Sequence, residues 1–174
     1  KMNFRKLFFI KKSHFFTLVF VSLLFFIGNG QFDLFDNSET HYTRVTQEMA
    51  ATGDLLNLSY NGQKWFVHPP LYFWQTTITT KIFGWSETVL RFQSALFSSI
   101  SVCLTYLIAT MFYGPSIALV SAMIFGSSLY ILCLGKLAIF DAQLYSFMLL
   151  SLYLILQFIH QEHPRSRWLI MAGI

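Results

Sequence analysis

Residues 92–134 read FQSALFSSISVCLTYLIATMFYGPSIALVSAMIFGSSLYILCL, a stretch without a single Asp, Glu, Lys or Arg. Gly114-Pro115 divides it into two apolar runs, 92–113 and 116–134, and this pair is typical of a turn that leads into a new helix. Each run approaches the ~20 apolar residues that cross the hydrocarbon core of a bilayer. The stretch therefore predicts two transmembrane helices joined by a tight turn.

Two further apolar runs flank this stretch, at residues 15–28 and 142–159. The first is short for a span, and basic residues before it and Gly28-Asn29-Gly30 after it leave a cleaved signal peptide as the alternative. Both interpretations send the following segment to the outer side of the membrane. We predict an all-α polytopic membrane protein with about four transmembrane helices and interfacial helices in its first outer loop.

The predicted organisation has five parts, and the last apolar run, which begins near Trp168, is expected to be cut short. In order they are a basic cytoplasmic N-terminus (1–14), the first transmembrane helix (15–29), an outer loop with interfacial helices (30–90), three transmembrane helices with Asp141 in an outer loop (91–160), and a cytoplasmic loop with the start of a further span (161–174).

The composition supports a lipid environment. The 174 residues are 55% hydrophobic and 11% charged, whereas roughly 25% of the residues in a soluble domain are charged. The net charge of +4 does not indicate nucleic-acid binding, because the basic residues flank apolar runs instead of covering one soluble face. The two cysteines, Cys103 and Cys133, lie within apolar runs and are expected to be small buried hydrophobic residues.

Charge distribution predicts the orientation of the chain. Basic residues precede the first run, and Arg165 and Arg167 follow the fourth, which places both regions in the cytoplasm by the positive-inside rule. Seven of the eight acidic residues then face outward: Asp33, Asp36, Glu39, Glu48, Asp54 and Glu87 in the first outer loop, and Asp141 in the second. Two loops remote in sequence are thus predicted to bring carboxylates to one membrane face.

The first outer loop has its own helix and turn signals. Tyr42, Val45 and Met49 repeat at helical spacing after Asn37, and Gly53 closes this run, which predicts an amphipathic helix on the membrane surface. Tyr60-Asn61-Gly62 predicts a turn. A second interfacial helix is predicted over 71–84, with membrane-interface anchors at Tyr72, Phe73, Trp74 and Phe83.

Three groups of residues could carry chemistry. Asp36, Glu39, His41 and Tyr42 could provide a base or hold a divalent cation at the outer surface. The alternative for Asp36 and Glu39 is a capping box that begins the helix. Asp141 at the mouth of a span is a functional candidate, and its alternative is an N-cap stabilised by the helix dipole.

The third group lies ahead of a diproline. Lys64 and His68 stand beside aromatic residues in KWFVHPP (64–70), where Pro69-Pro70 restricts the backbone. A cation near the membrane interface suits a phosphate or pyrophosphate head group. The alternative is a surface loop with aromatic anchors.

Four segments in this order carry a resemblance to a known family: FDNSETHYTRVTQEMAATGDLL (35–56), YNGQKWFVHPPLYFW (60–74), KIFGWSETVLRFQSALF (81–97) and GKLAIFDAQLYSFMLL (135–150). Together they resemble the GT-C membrane glycosyltransferases, in the bacterial branch that contains aminoarabinose transferases and relatives of protein O-mannosyltransferase. The resemblance implies transfer of a sugar from a polyprenyl-phosphate donor to a lipid, glycan or protein acceptor. It also implies an integral protein of the bacterial cytoplasmic membrane whose active face is directed outward to the cell envelope.

The resemblance also implies residue roles. The family has an Asp-Glu pair followed by Tyr in the first outer loop; Glu39 and Tyr42 match, Ser38 stands in the Asp position, and Asp36 is the nearest replacement. His68-Pro69-Pro70 takes the place of a Lys-Pro-Pro element, and Asp141 matches a second outer-loop Asp. The predicted catalytic residues are Asp36, Glu39 and Asp141. The predicted substrate-binding residues are His41, Tyr42, Lys64 and His68, and a divalent metal is possible.

Two other functions are compatible with the sequence. A transporter or channel fragment could use Glu39 and Asp141 along an ion path, but such proteins usually carry ionisable residues within their spans, and the last three apolar runs have none. A non-catalytic membrane subunit is the other alternative. Because relatives of the resembled family have many more spans, we expect this stretch to be inactive on its own.

Overall fold

The computed structural model describes residues 12–34, 37–159 and 167–173. This part of the chain is mainly helical, with one two-stranded antiparallel hairpin. Its elements are α1 (Lys12–Leu23), α2 (Asn37–Thr52), β1 (Ser59–Tyr60), β2 (Gln63–Lys64), α3 (Leu71–Phe83), α4 (Glu87–Tyr113), α5 (Pro115–Ser127), α6 (Leu129–Leu134), α7 (Asp141–Ile159) and α8 (Arg167–Ala172).

The central element is α4, which packs against α1, α3, α5 and α7. Its N-terminus is capped by Ser86, whose hydroxyl accepts a hydrogen bond from the Val89 N–H at 3.4 Å. It ends at Gly114, whose φ of 80° lies in the left-handed region that favours glycine, and Pro115 begins α5. The turn predicted at Gly114-Pro115 is confirmed.

Two helices, α4 and α7, are long and apolar enough to cross a membrane, whereas α1 and α5 are apolar but shorter. A mainly helical membrane protein is therefore confirmed, but the predicted number of about four spans is not. The predicted third span breaks at Ser128, whose extended backbone separates α5 from α6 and whose hydroxyl accepts from the Ile131 N–H at 3.5 Å. The first helix ends at Leu23 and continues as turns.

The core of the bundle lies where α1, α4 and α5 meet. Gly126 of α5 makes this close approach possible, because a Cβ at that position would collide with Val21 of α1 and Val102 of α4. Small residues line the same contact. The buried side chains here are Leu18, Val21, Phe25, Ala95, Val102, Tyr106, Ala118 and Ala122.

The cysteines correct the sequence prediction, because Cys103 and Cys133 are both exposed. A helix surface that faces lipid is as apolar as a protein core, since the lipid tails are themselves apolar. An apolar sequence context therefore does not establish that a cysteine is enclosed by protein.

A second core joins α2, the hairpin and α3. It contains Val45, Met49, Leu58, Tyr72 and Phe73. Both predicted helices of the first outer loop are present, as α2 and α3. Tyr72 and Phe73, however, are buried against α2 and are not the membrane-interface anchors that the sequence predicted. The prediction failed because aromatic residues at a membrane interface and aromatic residues in a core have the same composition.

The hairpin turns at Asn61-Gly62, as predicted. Both residues have positive φ, 52° and 75°, and Tyr60 pairs with Gln63, so the loop has two residues. This is the geometry that Asn-Gly favours in a type I′ turn. Glu48 of α2 fixes the turn, accepting from the Ser59 hydroxyl at 2.7 Å and from the backbone N–H of Asn61 at 2.7 Å.

Candidate functional site

A buried ion pair links α2 to α4. Glu39, near the start of α2, is 0% exposed, and Arg91, in the first turns of α4, is 2% exposed. The guanidinium grips the carboxylate with two parallel hydrogen bonds, Nε to Oε1 at 2.9 Å and Nη2 to Oε2 at 3.0 Å. This bidentate arrangement is the geometry that arginine and carboxylate favour.

The remaining donors of Arg91 hold the segment between α1 and α2. Its Nη1 group donates to the carbonyls of Asn29 at 2.7 Å and Phe32 at 2.8 Å, and Nη2 donates to the carbonyl of Asp33 at 3.0 Å. Together with the two bonds to Glu39, these engage all five guanidinium N–H groups. A buried arginine needs such complete pairing, because desolvation of an unpaired charge is costly.

Glu39 also reaches the segment between α6 and α7. Its Oε1 accepts a hydrogen bond from the backbone N–H of Ala138 at 2.7 Å. Ala138 lies three residues before Asp141, so one carboxylate fixes α2 relative to the backbone that leads into α7. Both oxygens of Glu39 therefore have partners and neither is exposed, an arrangement suited to positioning. The predicted catalytic role of Glu39 stays a prediction.

Tyr42, which follows Glu39 in α2, forms a hydrogen-bonded pair with His68. The Tyr42 hydroxyl lies 3.0 Å from His68 Nε2. Tyr42 follows Glu39 by three residues, on the same side of the helix, and His68 is fixed by Pro69-Pro70 ahead of α3. Both rings contact Phe140, with centroid distances of 5.7 Å and 4.6 Å.

Asp141 follows Phe140 directly and is the first residue of α7. The Phe140 carbonyl accepts the hydrogen bond from the Leu144 N–H at 3.0 Å, so Phe140 takes the capping position and the N-cap alternative for Asp141 does not hold. A carboxylate in the first turn is still stabilised by the helix dipole. Asp141 is half-buried and directly follows Phe140, whose ring contacts His68.

His41 adjoins this pair, since its ring packs edge-on against the Tyr42 ring with 6.3 Å between centroids. His41 stacks on Tyr60 with 3.8 Å between ring centroids, and its Nε2 is buried without a hydrogen-bond partner among the described residues. Lys64 is exposed on β2. Asp36 lies outside the described residues. Within 12–34, 37–159 and 167–173, no three His, Cys, Asp or Glu side chains group as a metal site would require.

An apolar cavity of about 130 Å³ adjoins the site between the start of α3 and the first turns of α7. Phe140 forms part of its wall, and so does Pro69, the residue after His68. Its lining residues are Pro69, Leu71, Tyr72, Phe140, Gln143, Leu144 and Phe147.

The sequence patterns did not single out Arg91, which directly precedes the apolar run 92–113. A usable signal was present, because an arginine at the mouth of a span, on the face that gathers the acids, needs a carboxylate partner. What the sequence could not identify was which of the acids supplies it.

The family comparison bears on the segment that contains His68, Arg91 and Asp141. The model of the dolichyl-phosphate-mannose-protein mannosyltransferase family matches residues 67–174. The chain belongs to this family. Membership of the mannosyltransferase family confirms the resemblance that the sequence motifs indicated.

Two curated relatives of this mannosyltransferase family member are named undecaprenyl phosphate-alpha-4-amino-4-deoxy-L-arabinose arabinosyl transferases. The first, from Pseudomonas fluorescens (strain Pf0-1), is 32% identical over 130 residues, which cover 74% of the chain and 23% of the relative. The second, from Edwardsiella ictaluri (strain 93-146), is 28% identical over 129 residues, which cover 72% of the chain and 23% of the relative. The chain thus spans about a quarter of the length of these relatives.

The fold is similar to that of a solved structure, ArnT from Cupriavidus metallidurans bound to undecaprenyl phosphate. The TM-score is 0.84 at 22% sequence identity, and the match covers 94% of this chain and 31% of that one. The helical arrangement described above is therefore a fold already seen in a polytopic membrane protein.

Proposed function

We propose that the protein transfers a sugar from a polyprenyl-phosphate donor to an acceptor at the outer face of the bacterial cytoplasmic membrane. Support comes from the family match and from relatives that use an undecaprenyl phosphate sugar. The observation that carries the proposal is the Tyr42–His68 pair beside Phe140-Asp141, which sets polar groups against an apolar cavity at the mouth of a span.

The donor has two chemical parts, an isoprenoid tail and a phosphate, which would meet different parts of the site. Its isoprenoid tail lies in the bilayer, and the end of the tail next to the phosphate can enter the apolar cavity between α3 and α7, which would bring the phosphate to the depth of His68. When Nε2 of His68 accepts a hydrogen bond from the Tyr42 hydroxyl, the single ring proton lies on Nδ1, which can donate a hydrogen bond to a phosphate oxygen. Lys64, exposed on β2, adds positive charge on the same side.

The reaction needs a base on the acceptor side. The acceptor hydroxyl attacks the anomeric carbon, its proton passes to the carboxylate of Asp141 or Asp36, and the bond from the anomeric carbon to the phosphate oxygen breaks. Polyprenyl phosphate leaves with the electron pair, and His68 stabilises the charge that develops on it. Glu39 acts by positioning, since it anchors both α2 and the backbone before Asp141.

The acceptor class is the least constrained part of the proposal. A lipid in the same leaflet can reach Asp141 without leaving the membrane, which favours a lipid acceptor. Glycan and protein acceptors, and a divalent metal that involves Asp36, stay predictions.

The decisive experiment replaces Asp141 in the full-length protein. Asp141→Asn keeps the shape and removes the base, so product formation from a polyprenyl-phosphate sugar should fall by roughly 10²–10⁴. Glu87→Gln is the matched control, because Glu87 is an acidic residue in the first turn of α4 on the same side of the fold. It should keep near-wild-type turnover, and both variants should keep wild-type thermal stability in detergent. Normal turnover by both Asp141→Asn and Asp36→Asn would refute the assignment of the base.

A further inference from the structure

A second and larger cavity has a wall that contains neither Tyr42 nor His68. Its volume is about 680 Å³, and it opens between the segment after α1 and the segment that joins α6 to α7. It shares no lining residue with the cavity beside Phe140. Its walls include Ile27, Asn29, Phe32, Arg91, Cys133 and Lys136.

The cavity has one cation that is available to a ligand. Arg91 is part of the wall, but its charge is neutralised by Glu39 and its donors are engaged. The Lys136 ammonium donates one hydrogen bond, to the Ile27 carbonyl at 2.7 Å, which leaves two of its three donors. None of the lining residues is acidic, and Lys136 has no salt bridge to a residue that the structure describes.

A second polar group in the same wall lacks a partner. Asn29 is 4% exposed, and its Oδ1 is buried without a hydrogen bond from the described part of the chain. A buried amide oxygen without a donor is unfavourable, so a ligand hydroxyl, or a water molecule held by one, would stabilise this wall. The cavity thus offers a cation for an anion and an acceptor for a hydroxyl.

Apart from the Gln31 amide, the rest of the wall is apolar, and part of it follows the end of the apolar helix α1. Ile27 and Phe32 are 62% and 67% exposed, and both flank the point where the apolar helix α1 gives way to the polar outer loop. Arg91, in the first turns of α4, forms part of the same wall. A head group with an attached hydrocarbon chain meets both parts of this cavity, since the chain can continue along the exposed apolar surface.

We propose that the cavity around Lys136 and Asn29 is a second lipid site, which binds a lipid whose head group carries a phosphate. The phosphate lies on the Lys136 ammonium, and the hydrocarbon chains lie against Ile27 and Phe32. The site is separate from the proposed donor position at His68 and does not depend on the transferase activity.

Cys133 provides the reporter, because it is free, exposed and part of the cavity wall. The full-length protein in neutral detergent is treated with N-ethylmaleimide, and modification of the Cys133 peptide is timed by mass spectrometry. Cys103 in the same sample is the internal control, since it is exposed on α4 and does not line the cavity. The probes are short-chain phosphatidic acid, diacylglycerol of the same chain length and inorganic phosphate.

Phosphatidic acid should slow modification of Cys133 but not of Cys103, and neither diacylglycerol nor inorganic phosphate should do so at the same concentration. Lys136→Gln should weaken this protection roughly tenfold or more in lipid concentration, the effect expected for loss of one charged hydrogen bond. Lys136→Arg should keep it, and so should Lys81→Gln, which removes an exposed lysine from the end of α3. Measurement of thermal stability shows that the Lys136 variants are folded.

Three results would overturn the proposal. Diacylglycerol could protect as well as phosphatidic acid, which would make the cavity a purely apolar surface. Inorganic phosphate alone could protect, which would make it an ion site without a lipid. Protection could also survive Lys136→Gln in a folded protein, which would remove the phosphate from the lysine.

Discussion

At the residue scale, the buried pair of Glu39 and Arg91 joins α2 to α4. They lie 52 residues apart in sequence, and each is almost completely removed from solvent. Removing one partner leaves an uncompensated buried charge, whereas replacing both with neutral groups does not. Loss of one member of this pair should therefore lower the free energy of unfolding far more than loss of one member of a surface pair.

We predict that Arg91→Gln lowers the free energy of unfolding by roughly 3–5 kcal/mol, as does Glu39→Gln, and that the double variant loses less than the sum of the two. Thermal unfolding in detergent measures all three. Arg44→Gln is the control, because it breaks the exposed Arg44–Glu48 pair at 3.1 Å and should cost less than about 1 kcal/mol. Equal losses for Arg91→Gln and Arg44→Gln would show that the buried pair is not an organising contact.

His68 can be tested by restoring the residue that the resembled family has there. His68→Lys places an ammonium donor beside the diproline, so we predict that it retains most transferase activity. His68→Phe keeps a ring of similar size without an N–H donor, and turnover should fall by roughly 10²–10³ because the leaving phosphate loses a hydrogen-bond donor. Product formation by the two full-length variants decides between these outcomes. Equal loss in both would mean that the contact with Tyr42, and not donation to the phosphate, is what matters.

Most residues of the candidate site carry a local sequence signal, but their arrangement does not. Tyr42, His68 and Asp141 were predicted from local patterns, and the structure brings the first two together beside the residue before the third. The pairing of Glu39 with Arg91 could not be predicted, because a local pattern does not specify which of several acids meets a cation distant in the chain.

At the scale of elements, Glu48 joins α2 to the hairpin. The pKa of the Glu48 carboxyl is lowered from its ordinary value of 4.5, and the largest cause is the hydrogen bond from the Ser59 hydroxyl. Desolvation raises this pKa, but the N–H groups of Gly62 and Asn61 and the charge of Arg44 lower it further. A carboxyl whose pKa is lower in the folded protein stabilises it above the unfolded value, and this contribution is lost as the pH falls through the folded value.

We therefore predict that Glu48→Gln lowers the melting temperature at about pH 7 and that the difference from the wild type shrinks as the pH falls below the ordinary carboxyl value. Ser59→Ala should reproduce part of the effect, since it removes the largest cause. Melting curves in detergent across this pH range provide the measurement. A difference that does not change with pH would show that the Glu48 carboxylate does not stabilise the hairpin.

Elements with local signals were predictable, and those set by packing were not. Gly114-Pro115 and Asn61-Gly62 form turns because their backbone preferences act within a few residues. The break at Ser128 has no comparable signal, since it interrupts an apolar run without Pro or charge. The burial of Tyr72 and Phe73 depends on α2, which is contributed by a separate part of the chain.

At the scale of the whole molecule, the described residues divide into a helical bundle and an outer-loop module. The bundle core joins α1, α4 and α5, and the second core joins α2, the hairpin and α3. The Glu39–Arg91 pair and the Glu39–Ala138 hydrogen bond lie between them and fasten one to the other. Such fastening holds Asp141 and His68 in a fixed relation although they are carried by different elements.

The separation of charges in the sequence predicts how this molecule lies in the membrane. The outer-loop module carries most of the acids, whereas the basic clusters flank the first and fourth apolar runs, so the hairpin should face outward and the turn between α4 and α5 should face the cytoplasm. Gln63 of β2 and Tyr113 at the end of α4 are both exposed and mark these two sides.

We predict that a membrane-impermeant maleimide added to intact cells modifies Gln63→Cys but not Tyr113→Cys, in a background without Cys103 and Cys133. Opening the cells should make Tyr113→Cys reactive, which controls for a side chain that is merely blocked. Arg165→Cys, outside the described residues, should behave as Tyr113→Cys does, because the predicted topology has two further crossings between them. Modification of Tyr113→Cys in intact cells would invert or abolish the proposed orientation. It would also remove the outer leaflet as the place where the donor phosphate meets His68, because Asp141 and the hairpin belong to the same face.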